Sequence, residues 1–160
     1  QKQNIIKAFN YGLGNEKKNL ILNVNLESSS SSINQLNKDS KYFIKKYKIL
    51  NFFGKKKITK PQETKIFKLE EILNELKISK VDLLKIDTEG YEFEVLKGSE
   101  KKLKEIKVVY FEHHYDDMII KNYKFGDIHQ LLNNKNFMMI KKSKMLFRKS
   151  FEYIYENQKK

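Results

Sequence analysis

The chain has 160 residues, enough for one domain that buries a core of its own. Its 39% hydrophobic and 12% aromatic content excludes a disordered chain, and the absence of cysteine excludes disulfides and thiolate metal sites. The net charge of +13 is uneven: residues 81–117 hold ten acids against six lysines, a balance of −4 that leaves +17 elsewhere. An acidic centre in a lysine-rich chain is a poor footprint for phosphate and a plausible one for a cationic ligand.

In chain order, Ile5 to Phe9 reads as a strand, ended by the turn-rich Asn10–Asn15. No apolar h-region of a signal peptide precedes it, and no run in the chain reaches the ~18 apolar residues of a spanning helix. Asn19 to Leu26 alternates loosely and predicts a second strand. Five serines, Ser28–Ser32, open a polar, lysine-rich stretch to about Lys60. The aromatic and aliphatic residues from Tyr42 to Phe53 predict that part of this stretch packs.

Thr64 to Lys68 reads as a short strand. Leu69, Ile72, Leu73 and Leu76 then form the stripe of an amphipathic helix, with Glu70 and Glu71 in its first turn. Val81 to Ile86 is a short apolar strand, Asp87 to Gly90 a turn, and Tyr91 to Lys97 a helix. Gly98 is placed to end that helix and Ser99 to cap the next, through about Glu105. Val108 to Phe111 predicts a buried strand ending at Glu112-His113-His114. Phe125, Ile128, Leu131 and Leu132 mark a helix. Phe137 to Lys141 and Met145 to Tyr155 read as a hairpin joined at Lys142-Ser143-Lys144. Alternating strands and helices imply a mostly parallel sheet, with the final hairpin as an antiparallel edge.

Ligands of open parallel sheets bind beyond the carboxyl ends of strands. Asp87 is the first residue past such an end, Glu89 and Glu92 follow closely, and Gly90 lets the backbone bend. The bland alternative is an Asx turn with two solvated glutamates. Glu112, His113 and His114 end the next strand, and if the two strands are neighbours they share the crevice. A histidine titrates near neutrality and would suit a general base; two solvated histidines are the alternative. A metal held by Asp87 and a histidine is set aside, because adjacent histidines have poor ligand spacing.

The stretch VDLLKIDTEGYEFEVLKGSEKKL resembles the core signature of FkbM-type methyltransferases. TKIFKLEEIL upstream, VVYFEHH downstream, and YGLGNEKKNLILNV followed by serines are similar to the flanking elements of that family, in the same order. The resemblance implies a partial doubly wound, Rossmann-like α/β sheet. It implies a single methyltransferase domain over residues 1–160 that lacks the N-terminal cofactor-binding strands. Its glycine-rich turn and the acidic strand end for the cofactor ribose are not found before Ile5. The cofactor implied is S-adenosylmethionine, and the reaction is methyl transfer to a hydroxyl of a sugar or secondary metabolite.

Within that reading Asp87 would orient the acceptor or take its proton, with His113 or His114 as the alternative base. Asp87, Tyr11 and Gly12 would lie on the cofactor side, and Glu89, Glu92 and Glu112 on the substrate side. The serines would line the site. The expected partner is a small-molecule acceptor, with no nucleic acid and no membrane, in the cytoplasm. Two rivals remain: a basic RNA-binding module, which needs aromatics interleaved with lysines on a sheet face, and a non-catalytic scaffold.

Overall fold

A computed structural model describes residues 6–25, 31–52, 59–146 and 149–159. The elements are β1 (Gly12–Leu13), β2 (Lys18–Asn25), α1 (Lys41–Phe52), β3 (Thr59–Phe67), α2 (Leu69–Glu75), β4 (Val81–Ile86), α3 (Glu92–Lys97), a 3-10 turn (Leu103–Glu105), β5 (Ile106–His114), α4 (Phe125–Asn134), β6 (Phe137–Lys144) and β7 (Ser150–Asn157).

The strands form two sheets, one ordered β1-β3-β2 and the other β4-β5-β7-β6. The class is α/β as expected, but the pairing is mixed rather than mostly parallel. Only β1–β3 and β4–β5 run parallel; β2–β3, β5–β7 and β6–β7 are antiparallel. The C-terminal hairpin is also more than an edge. Its second strand, β7, inserts between β5 and β6, which puts Tyr153 and Tyr155 at 0% exposure. The turn lies beyond Lys144, because β6 runs through Lys142-Ser143-Lys144 and pairs Lys144 with Phe151.

The first expected strand is displaced. Residues 6–9 have no regular structure, Ile5 lies outside the described residues, and the strand is Gly12–Leu13 instead. Glycine makes this possible. A Cβ on Gly12 or Gly14 would stand 2.7 Å from an Ile66 side-chain carbon, so only bare backbone can lie along β3 there. β1 covers only Ile66 and Phe67, so among the described residues the rest of β3 is bordered on one side alone, by β2. Pro61 sits in that stretch, where a missing N–H is tolerated.

One core joins the two sheets. Leu69 and Leu73 of α2, Val95 and Leu96 of α3, and Ile128 and Leu132 of α4 cluster with Ile86, Val109, Phe111, Phe137, Tyr153 and Tyr155, while Leu13 and Leu20 pack at its margin. Phe111 stacks on Tyr153 at 5.4 Å and on Tyr155 at 5.9 Å, contacts worth roughly 0.5–1.5 kcal/mol each beyond the area they bury. A smaller cluster holds α1: Phe43 packs on Met118 and Ile119. Among the described residues no helix is long and apolar enough to cross a membrane.

Candidate functional site

A cleft of about 660 Å³ opens where β1, β4 and β5 end. That volume is in the range of small-molecule sites. Lys85, Asp87, Thr88, Glu89, Glu112 and Glu152 line it from the larger sheet, and Gly12, Leu13, Leu22, Gln62 and Thr64 from the smaller. Phe9 and Tyr11 also line it, with ring centroids 5.2 Å apart. The cleft therefore lies between the sheets, and most of its charge is acidic.

The arrangement follows from register. β4 and β5 are parallel neighbours, with Lys85 opposite Tyr110 and Ile86 opposite Phe111. Residues 110, 112 and 114 alternate onto the face that Lys85 shares, while Phe111 and His113 go to the helix-covered face. Across β5–β7, Glu112 stands opposite Glu152. The Tyr110 hydroxyl donates to Glu152, which together with burial pushes the phenol up to about 12. Lys85 Nζ lies 3.4 Å from Asp87 and 5.7 Å from the centroid of the Tyr110 ring.

The turn after β4 is a held conformation. Glu89 has φ +50°, which is unusual outside glycine, and Gly90 has φ +97°. Three groups fix it. The Glu92 carboxylate accepts from the Gly90 N–H at 2.8 Å and from the Thr88 hydroxyl at 3.0 Å. The Ser32 hydroxyl donates to the Glu89 carbonyl at 3.0 Å, and the Asn34 amide donates to the Gly90 carbonyl at 2.5 Å. Gly90 also has no room for a side chain, since a Cβ would meet Ile119 at 2.6 Å.

The sequence-predicted residues thus divide. Asp87, Glu89, Glu112, Tyr11 and Gly12 come together on the cleft. Glu92 does not line it. Glu92 is 1% exposed, turned inward to the turn and to the Tyr123 hydroxyl, which donates to it. Of the serine run, Ser31 lines the cleft and Ser32 braces the turn, while residues 28–30 lie outside the described residues.

The two histidines part company. His113 is buried between Tyr115, Tyr123 and Phe125, with ring centroids 4.9, 5.7 and 5.9 Å away. Burial, aided by the positive charges of Lys121 and His114, pulls its imidazolium down to about 4, so the ring is neutral at pH 7. It lies on the far face from the cleft. His114 is buried among carboxylates: Nε2 is 3.3 Å from Glu89 and 3.5 Å from Glu112, and Nδ1 is 3.6 Å from Asp116. Burial alone would lower it, but hydrogen bonds to Asp116 and Glu89 and the charges of Glu89 and Glu112 outweigh that and push it up to about 9. Among the described residues no cluster is arranged to hold a metal ion.

Tyr110, Glu152, Asp116, Tyr123 and Asn34 were not singled out from the sequence. Each depends on a strand register or a loop contact distant in the chain. The one available signal was the alternation of residues 110, 112 and 114 along β5.

No curated protein and no solved structure matches the chain. The Methyltransferase FkbM domain matches residues 1–139, which covers the cleft residues up to Glu112. The chain belongs to the FkbM methyltransferase family.

Proposed function

We propose that the cleft is the site of an S-adenosylmethionine-dependent methyl transfer to a hydroxyl group of a sugar or secondary metabolite. The observation that carries this reading is the position of Asp87, the first residue past β4, beside Glu89 and Glu112 in a cleft of small-molecule size. Two sheets that meet at one core, with β4 and β5 parallel and ending at the cleft, are compatible with part of a doubly wound sheet.

The residues present suit the cofactor. Its sulfonium and ammonium groups are cations, and four carboxylates, Asp87, Glu89, Glu112 and Glu152, line the cleft against one lysine. Phe9 and Tyr11 offer aromatic surface for a flat base. The cofactor supplies an electrophilic methyl group on sulfur. The chain supplies alignment and proton removal.

Asp87 is the best-placed group to take the acceptor proton. Its side chain is 57% exposed and paired only loosely with Lys85, so it can turn toward an acceptor. His113 stands on the other face, and His114 is already protonated at neutral pH. Neither serves as the base in this mechanism. Glu92 and Ser32 act indirectly, by holding the strained turn that carries Asp87 and Glu89.

The test is calorimetric titration of the protein with S-adenosylmethionine, followed by a turnover assay against hydroxylated acceptors. Binding that weakens in Asp87→Asn and Glu112→Gln supports the reading. Absence of binding by the intact protein ends it.

A further inference from the structure

We propose that His114 is a positioning residue: its imidazole, anchored by Asp116, holds Glu89 and Glu112 in place in the wall of the cleft. The inference rests on the methyl-transfer reading for what those two carboxylates are positioned to bind, but not for the geometry itself.

Three elements converge on this ring. Glu89 approaches Nε2 from the turn after β4 at 3.3 Å, Glu112 approaches it from β5 at 3.5 Å, and Asp116 approaches Nδ1 from the loop after β5 at 3.6 Å. Asp116 is itself fixed, because its Oδ1 accepts from the Met118 N–H at 3.0 Å. The Lys121 ammonium donates to the His114 carbonyl, and His113 is the neighbouring ring along the strand. Among the described residues these are the charged and titratable groups shown to face His114.

A neutral imidazole carries one N–H, and the protonated form carries two. Carboxylates stand near both nitrogens, so only the imidazolium can donate in both directions. The high affinity of this ring for its second proton agrees with that. Without the cation, three carboxylates would crowd a neutral ring in a largely buried space, which drives them apart or forces one to take up a proton.

Glu89 is the residue most in need of such a hold. Its backbone sits at φ +50°, with the carbonyl pinned by Ser32 at 3.0 Å. The carboxylate is therefore fixed from both ends, by Ser32 through the backbone and by His114 through the side chain. Glu89 and Glu112 come from separate elements, and His114 ties them to each other.

The first experiment follows the His114 ring by NMR through a pH titration of the unmodified protein. A midpoint near 9 is expected, and Glu89→Gln should move it down. A midpoint at or below 6.5 overturns the proposal, and so does a midpoint indifferent to Glu89→Gln. The second experiment measures His114→Gln kinetics. Misplaced carboxylates should raise the acceptor KM, lowering kcat/KM by up to about 10²-fold while kcat changes less. Unchanged kinetics in a folded His114→Gln variant would also overturn it. A protein that shows no methyl transfer at all would refute the functional reading, and the NMR titration would still decide the role of His114. The midpoint in the unmodified protein does not depend on any variant folding.

Discussion

Glu112 stands directly opposite Glu152 across the antiparallel β5–β7 ladder, two carboxylates on one face of the sheet. Facing like charges destabilise a strand pair by roughly 0.2–1 kcal/mol. The Tyr110 hydroxyl, donating to Glu152, relieves part of the cost. The His114 imidazolium, 3.5 Å from Glu112, relieves more, and a cationic ligand in the cleft would add to this. Glu152→Gln removes one charge and keeps an oxygen for Tyr110. It should leave stability unchanged or raise it by up to about 1 kcal/mol in a thermal melt. It should also bring the Tyr110 phenol down from about 12 toward 10 in an ultraviolet titration. A clear loss of stability would show that the pair is not a repulsive one.

Two glycines of similar appearance in the sequence should respond oppositely to alanine. A Cβ on Gly98 would lie 1.8 Å from the Gly14 carbonyl oxygen, so α3 ends against backbone that cannot retreat. Gly98→Ala should destabilise by about 1–3 kcal/mol or more, as overpacking does. Gly126 lies in the first turn of α4 with nothing within 4 Å of its Cβ position. Gly126→Ala should gain roughly 0.5–1 kcal/mol from the lower entropy of the unfolded chain. Denaturant melts of the two variants, run side by side, check both signs.

The histidines should give stability a maximum in pH. His113 in the folded chain lies near 4, below its ordinary 6.5, so it contributes stability above pH 6.5 that is lost as the pH falls through 4. His114 lies near 9, above 6.5, so its contribution is complete below pH 6.5 and is lost as the pH rises through 9. Between them the melting temperature should peak near pH 6.5. His114→Gln should flatten the alkaline side and leave the acid side. Melts collected across that range test the claim, and an alkaline limb that survives in His114→Gln would sink it.

The larger sheet was more legible than the smaller. β4 and the Asp87–Gly90 turn were read in place, because a short apolar strand broken only by Asp82 and Lys85 and followed by Asp, Thr, Glu and Gly carries its own punctuation. The start of α4 is legible for a different reason, the helical spacing of Phe125, Ile128, Leu131 and Leu132. What failed depended on partners far along the chain. The insertion of β7 beside β5 made the sheet mixed, and no local pattern announces which strand a hairpin will pair with. β1 was misplaced because Gly12 and Gly14 look like turn residues, and their real task is close approach to Ile66. Glu92 was read as facing a ligand. Its partners are Thr88 and Gly90, nearby in the chain, and Tyr123, which is not. Ser99 was expected to cap the next helix through its side chain, but its hydroxyl donates back to the Val95 carbonyl at 2.7 Å.

Asp87→Asn separates chemistry from structure most cleanly. The side chain is exposed, and among the described residues its one close charge partner is Lys85, also exposed, at 3.4 Å. An exposed pair of this kind is worth at most about 1 kcal/mol, so the melting temperature should barely move. The turn itself should hold, since Glu92, Ser32 and Asn34 fix it without help from Asp87. Turnover should fall by about 10²–10⁴-fold, the usual contribution of a general base. Binding of S-adenosylmethionine should weaken less than turnover, because Glu89, Glu112 and Glu152 keep the cleft acidic. A paired turnover assay and thermal melt decide the matter. Full turnover in the Asn variant would remove Asp87 from the mechanism, and a collapsed melt would make it a structural residue of the strand end.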